Sequence, residues 1–170
     1  MAVSFLLCIF AAVARPPSVF PEDDQSPARS VVPAPIFTGL ITADRVNLRA
    51  GPGLSYEVIR QFPKRDKVLV FEERGDWYGI ELPSDVAVYV SGDHVRSLQN
   101  GKTVADADRL HVRSGPGAAF ASVGTLHSGE QVIVRKRVRD WAQIDPPVSC
   151  RGWISKSYVV ELEVKEEGKR

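Results

Sequence analysis

Apolar and polar residues alternate in short bursts along most of this chain. Val46 and Leu48 alternate with polar neighbours, as do Val68 with Val70 and Val132 with Val134. A period of two residues marks a strand with one face against a core. Residues 77–82 and 86–90 form two further runs on either side of Pro83-Ser84-Asp85. No segment sustains a helical period, so the pattern predicts an all-β chain of short strands, a sandwich or small barrel. Parity assigns the faces. Tyr78, Ile80 and Leu82 share one side of their strand, and Trp77, Gly79 and Glu81 share the other. Ala142 and Ile144 likewise oppose Trp141, Gln143 and Asp145. With the aliphatic side on the core, Trp77 and Trp141 point away from it.

The sequence overlays itself without a gap when shifted by 64 residues. Asp44-Arg45-Val46-Asn47-Leu48-Arg49-Ala50-Gly51-Pro52-Gly53 falls on Asp108-Arg109-Leu110-His111-Val112-Arg113-Ser114-Gly115-Pro116-Gly117. Asp76-Trp77 falls on Asp140-Trp141, Tyr56 on Phe120, and Tyr89 on Trp153. The unit is longer than a solenoid repeat and occurs twice, so each copy is expected to be a closed module with its own core. The expected boundaries are 38–98 and 103–162, with a short linker from Gln99 to Thr103 and a charged tail over 163–170. In each Gly-Pro-Gly, proline suits the second position of a type II turn and glycine the positive φ of the third.

Val-Asn-Leu-Arg-Ala-Gly-Pro-Gly with Tyr56, Asp76-Trp77 and Tyr89 resembles the bacterial SH3 domain. So does Leu-His-Val-Arg-Ser-Gly-Pro-Gly with Phe120, Asp140-Trp141 and Gly152-Trp153-Ile154. The first copy departs from the family pattern in having Val88-Tyr89 where the second has glycine-tryptophan. The resemblance implies a partly open barrel of five to seven strands in each copy, export from the cytoplasm, and association with the cell wall or surface.

Residues 1–14, MAVSFLLCIFAAVA, are uncharged and mostly apolar. They are too short to span a bilayer and suit a signal peptide, with Ala12-Val13-Ala14 as a small-x-small cleavage pattern. No stable membrane span is expected. Residues 15–37 hold six prolines among acidic and serine residues, the composition of an extended linker. The chain is therefore expected to be exported: periplasmic, secreted or attached to the envelope.

Lysine plus arginine (22) and aspartate plus glutamate (21) leave a net charge of +1, which argues against nucleic acid as the main partner. The single basic run is Arg135-Lys136-Arg137-Val138-Arg139; the first copy has Phe71-Glu72-Glu73-Arg74-Gly75 in its place. It reads as a solvated hairpin tip or as a contact for acidic polymer.

Nothing in the sequence assembles a catalytic centre. Cys150 aligns with the aliphatic Val86 and reads as a small buried hydrophobe. His94, His111 and His127 are dispersed and lack the spacing of a zinc site, so neither metal nor cofactor is expected. The expected activity is binding, by a monomer, of cell-wall peptide or glycan; the alternative is docking of an envelope protein. The candidate site residues are Arg49, Tyr56, Trp77 and Tyr89 in the first copy, and Arg113, Phe120, Trp141 and Trp153 in the second. A turn centred on Pro83 would set Trp77 across from Tyr89, and the same geometry about Pro147 would set Trp141 across from Trp153, giving an aromatic shelf in each module.

Overall fold

The computed structural model describes residues 33–162. The expected signal peptide, most of the proline-rich linker and the charged tail lie outside the described residues.

The described residues are all-β, with 15 strands and two short 3₁₀ turns. The first five strands are β1 (Phe37–Ile41), β2 (Val46–Arg49), β3 (Val58–Phe62), β4 (Lys67–Arg74) and β5 (Trp77–Glu81). Next come β6 (Val88–Ser91), β7 (Val95–Ser97), β8 (Thr103–Ala105), β9 (Leu110–Arg113) and β10 (Ser122–Leu126). The last five are β11 (Gln131–Val132), β12 (Val134–Val138), β13 (Trp141–Ile144), β14 (Arg151–Ser155) and β15 (Val159–Glu161). The 3₁₀ turns, 92–94 and 156–158, follow β6 and β14.

These strands build two barrels of the same architecture. One is a seven-stranded sheet in the order β15-β1-β4-β5-β14-β2-β3. The other runs β10-β9-β6-β13-β12 and is completed by β11-β8-β7; β11 and β12 are the two halves of the strand equivalent to β4, interrupted at Ile133. Read strand for strand, the two orders match under the 64-residue shift.

The two barrels do not coincide with the two sequence repeats. β14 and β15 belong to the second repeat yet complete the first barrel: β14 pairs with β5 and β2, and β15 with β1. In exchange, β6 and β7 of the first repeat complete the second barrel, where β6 pairs with β13 and β9 and β7 with β8. The expectation of two modules closed on themselves at 38–98 and 103–162 is corrected accordingly. Barrel 1 is β1–β5 with β14–β15, and barrel 2 is the unbroken run β6–β13. The chain crosses between them through residues 82–87 and 145–150, where turns close at Val86 N–H to Pro83 O (3.0 Å) and Cys150 N–H to Pro147 O (2.9 Å). The expected inter-module linker at 99–103 is instead a hairpin turn within barrel 2, with Leu98 N–H donating to Lys102 O (2.7 Å) and Gly101 at φ 79°.

The cores of the two barrels are continuous. Ile41, Leu48, Val70, Ile80 and Ile154 from one, and Val88, Val90, Val112, Leu126 and Ile144 from the other, belong to one cluster of buried apolar side chains. Cys150 is part of it, and burial pushes its thiol up to about 12. Barrel 1 also touches barrel 2 through Glu57, whose carboxylate accepts from the Ser114 hydroxyl and from Ala121 N–H (3.1 Å). Desolvation works to raise the Glu57 pKa, but hydrogen bonds from Ser114, its own amide and Ala121 outweigh it, and the net direction is down.

The Gly-Pro-Gly loops differ from the expected type II turns. Gly53 and Gly117 are not in the positive-φ region. Gly53 N–H donates to Gly51 O and Gly117 N–H to Gly115 O (both 2.9 Å), three-residue turns centred on proline. The demanding glycine is the first. A Cβ on Gly51 would strike the Tyr56 ring, and one on Gly115 the Phe120 ring.

Candidate functional site

Two open depressions occupy the same position on the two barrels. The first, of about 390 Å³, is lined by Ala43, Asp44, Arg45, Val46, Asn47, Arg49, Leu54 and Trp77 from the first repeat, with Ser155 and Tyr158 from the second. The other, about 270 Å³, is lined by Ala107, Asp108, Arg109, Leu110, His111, Arg113, Ala118 and Trp141 from the second repeat, with Ser91 and His94 from the first. Every residue of one has its counterpart in the other under the repeat. Each depression needs both repeats, because each closing strand comes from the other copy.

Strand pairing positions the indoles. Trp77 lies opposite Ser155 in the β5–β14 ladder, and Trp141 opposite Ser91 in the β13–β6 ladder. Both are half-buried on the outer face of their sheets, the side that parity assigned them. The cross-strand shelf does not form. Trp153 sits opposite Gly79, and Tyr89 opposite Gln143. Strand exchange puts Trp141 and Trp153 on different barrels, and the pairing is shifted by two residues from a turn centred on Pro83. Trp153 is only 5% exposed, stacked under the Arg74 guanidinium at 4.9 Å.

The other expected site residues fall into two groups. Arg49 and Arg113 line the depressions and also tie down the Gly-Pro-Gly loops. Arg49 Nη1 donates to Leu54 O (3.2 Å) and Tyr56 O (2.7 Å), and Arg113 Nη1 to Phe120 O (2.7 Å). Tyr56 and Phe120 line neither depression; their rings cover the first glycine of each loop. Tyr89 lines neither, and sits half-buried in the middle of β6.

Sequence reasoning missed Asp44, Arg45, Tyr158 and His94. One backbone signal marks Arg45 and its counterpart Arg109. Arg45 has φ 53° and Arg109 has φ 57°. Side chains other than glycine rarely adopt this conformation, which costs about 1 kcal/mol. Its repetition at both rims is the kind of strain that accumulates at binding sites. Arg109→Gly is therefore expected to be more stable than Arg109→Ala by about 1 kcal/mol in urea denaturation of the full chain, the reverse of the order at an ordinary strand position.

Two of the four basic side chains of the run are engaged. Arg135 forms a two-pronged pair with Asp145 (2.5 Å for each bond), and Arg137 reaches Gly92 O at 3.4 Å. That pair raises the Arg135 pKa and lowers that of Asp145. Among the described residues, no group of three His, Cys, Asp or Glu side chains is placed to hold a metal ion. No helix among them is long and apolar enough to cross a membrane.

With this geometry in view, comparison with known proteins is decisive at the level of family. The sequence profile of the bacterial SH3 domain matches residues 44–96 and again 108–160. The chain belongs to the bacterial SH3 domain family. Each match follows one sequence repeat, so each barrel of this bacterial SH3 pair is assembled from parts of both matches. The chain is also 32% identical over 142 residues to the putative N-acetylmuramoyl-L-alanine amidase YrvJ of Bacillus subtilis (strain 168), covering 78% of this chain and 27% of that protein. It thus spans about a quarter of the length of this relative.

Proposed function

We propose that this bacterial SH3 pair is a non-catalytic module of the cell envelope, outside the cytoplasm, that holds cell-wall peptide or glycan in its two tryptophan-floored depressions. The observation that carries this reading is the repetition of one open site on both barrels, with indole, guanidinium and carboxylate in the same places. An indole gives a flat apolar face for a sugar ring or peptide backbone, and the flanking charges and hydroxyls orient polar groups beside it. The similarity to a protein named as a putative amidase of wall material supports the same class of ligand.

The test is sedimentation with purified sacculi at low salt. The chain is expected to pellet with them, and Trp77→Ala/Trp141→Ala to bind about tenfold or more weakly, as truncating a central aromatic anchor commonly does. A wild-type chain that stays in the supernatant counts against the reading.

A second reading, docking of an envelope protein, rests on one further observation. The outer face of β1, β4 and β15 exposes Leu69 and Val160 beside half-buried Leu40. Stoichiometric recovery of a single protein partner, lost in Leu69→Ser/Val160→Ser and unaffected by the tryptophan substitutions, would favour it.

A further inference from the structure

The two depressions differ at four positions, and strand exchange decides how those differences are grouped. Under the repeat, Asn47 corresponds to His111, Leu54 to Ala118, Val46 to Leu110 and Tyr158 to His94. Two barrels closed on themselves would each hold one histidine: His94 beside Asn47, and His111 beside Tyr158. The exchange sends β6 and its 3₁₀ turn to barrel 2, so both histidines line the second depression and none lines the first.

The geometry points to the second depression, where both histidines gather, as a site for a ligand carboxylate, held more tightly as the pH falls. This rests on the wall-binding reading for the source of the ligand, but not for its chemistry. The charged and titratable groups lining the second depression are Asp108, Arg109, Arg113, His94 and His111. Asp108 offsets one guanidinium. Arg113 commits Nη1 to the Phe120 carbonyl, whereas Arg109 is exposed at the rim. His111 shares Nδ1 with the Ser122 hydroxyl at 3.3 Å, and His94 is exposed on its turn. Outside the lining, Arg137 lies against Gly92, and the Asp140 carbonyl accepts from Gly92 N–H (2.7 Å). Imidazole is the side chain whose charge ordinarily changes between pH 5 and 8, and the second depression gathers two of them beside guanidinium and carboxylate groups that leave one positive charge in excess. The first depression has Asp44, Arg45 and Arg49 likewise, with Asn47 and Tyr158 in place of the two imidazoles. Trp141 supplies an apolar wall for the carbon skeleton next to the carboxylate.

The indole N–H signals of Trp77 and Trp141 report the two sites separately in one full-length chain. The probe is a short peptide ending in a free D-alanine carboxylate, titrated at pH 5.5 and pH 7.5, against the same peptide as its C-terminal amide. The Trp141 signal is expected to saturate at about fivefold to tenfold lower acid-peptide concentration at pH 5.5 than at pH 7.5, with little response to the amide. His94→Tyr/His111→Asn, which gives the second depression the side chains of the first, should remove that pH dependence while both indole signals keep their folded positions. Equal response to acid and amide, pH dependence that survives the double substitution, or no movement of Trp141 overturns the carboxylate site. Inorganic phosphate moving Trp141 as strongly as the acid peptide overturns the assignment to carboxylate. Sacculus binding with an inert Trp141 would leave the wall reading standing without this site; a responsive Trp141 without sacculus binding would do the reverse.

Discussion

Cutting the chain within residues 99–102 will leave the two halves together. A protease site introduced in that hairpin turn and cleaved under native conditions should give a species that elutes from a sizing column at the uncut volume and separates only in denaturant. The turn joins β7 to β8 inside barrel 2, so the fragment ending at 98 keeps β6 and β7 within the other fragment's sheet, and the fragment starting at 103 keeps β14 and β15 within the first. Parting them requires breaking the β6–β13, β6–β9, β7–β8, β14–β5, β14–β2 and β15–β1 ladders and the continuous core. A tandem of self-closed modules, linked at the same residues, would fall apart into two small proteins. Two peaks in native buffer would refute the exchange.

Transposing the closing segments should undo that behaviour. In a chain with residues 150–162 placed at 86–98, and 86–98 placed at 150–162, each repeat should close on itself, and the same cut should now release two separate barrels. Side-chain size is one reason. Gly152 sits in barrel 1 where a Cβ would lie 2.7 Å from Leu48 Cδ1 and 2.8 Å from Leu82 Cδ2. Its counterpart Val88 sits in barrel 2, where the counterpart of Leu48 is the smaller Val112. Closure of the natural repeats on themselves would press Val88 against Leu48 and Leu82, an overpacking that costs roughly 1–3 kcal/mol, and leave a void beside Val112.

Charge acts in the same direction. In barrel 1, Arg151 stacks on Phe71 at 4.1 Å, and Lys156 pairs with Glu73 at 2.7 Å. The barrel 2 counterparts of Phe71 and Glu73 are Arg135 and Arg137. A second repeat closed on itself would set Arg151 beside Arg135 and Lys156 beside Arg137, like charges at short range. The basic run thus acts against the wrong strand. The measurement is elution volume of the cut, transposed chain; persistence as a single species would mean that neither size nor charge selects the partner.

Much of the architecture was legible in one dimension. The alternation at Val46/Leu48 and Val132/Val134 gave strands, and parity gave the outward side for Trp77 and Trp141. The exchange was not legible, because each closing segment is replaced by a counterpart of nearly the same polarity pattern. Strand period and turn residues are blind to which of two similar barrels a strand joins. The information lies in the pairs Leu48–Gly152 and Glu73–Lys156, whose members are far apart in sequence and unremarkable alone. The same blindness hid Tyr158 and His94, which reach the sites only by crossing between barrels. Tyr56 and Phe120, expected at the sites, are taken up locally: each ring seals the Gly-Pro-Gly loop that precedes it, a contact seen only once the loop is folded.

Antiparallel pairing of β1 with β15, with Leu162 N–H donating to Thr38 O (2.8 Å), brings both ends of the described chain out at one corner of barrel 1. Tension between those ends would peel this pair apart one bond at a time, like a zipper. Barrel 2, spliced in between the two crossings, would carry no load until barrel 1 had opened. Mechanical failure would then run in a set order, with the histidine-bearing lobe the last to unravel.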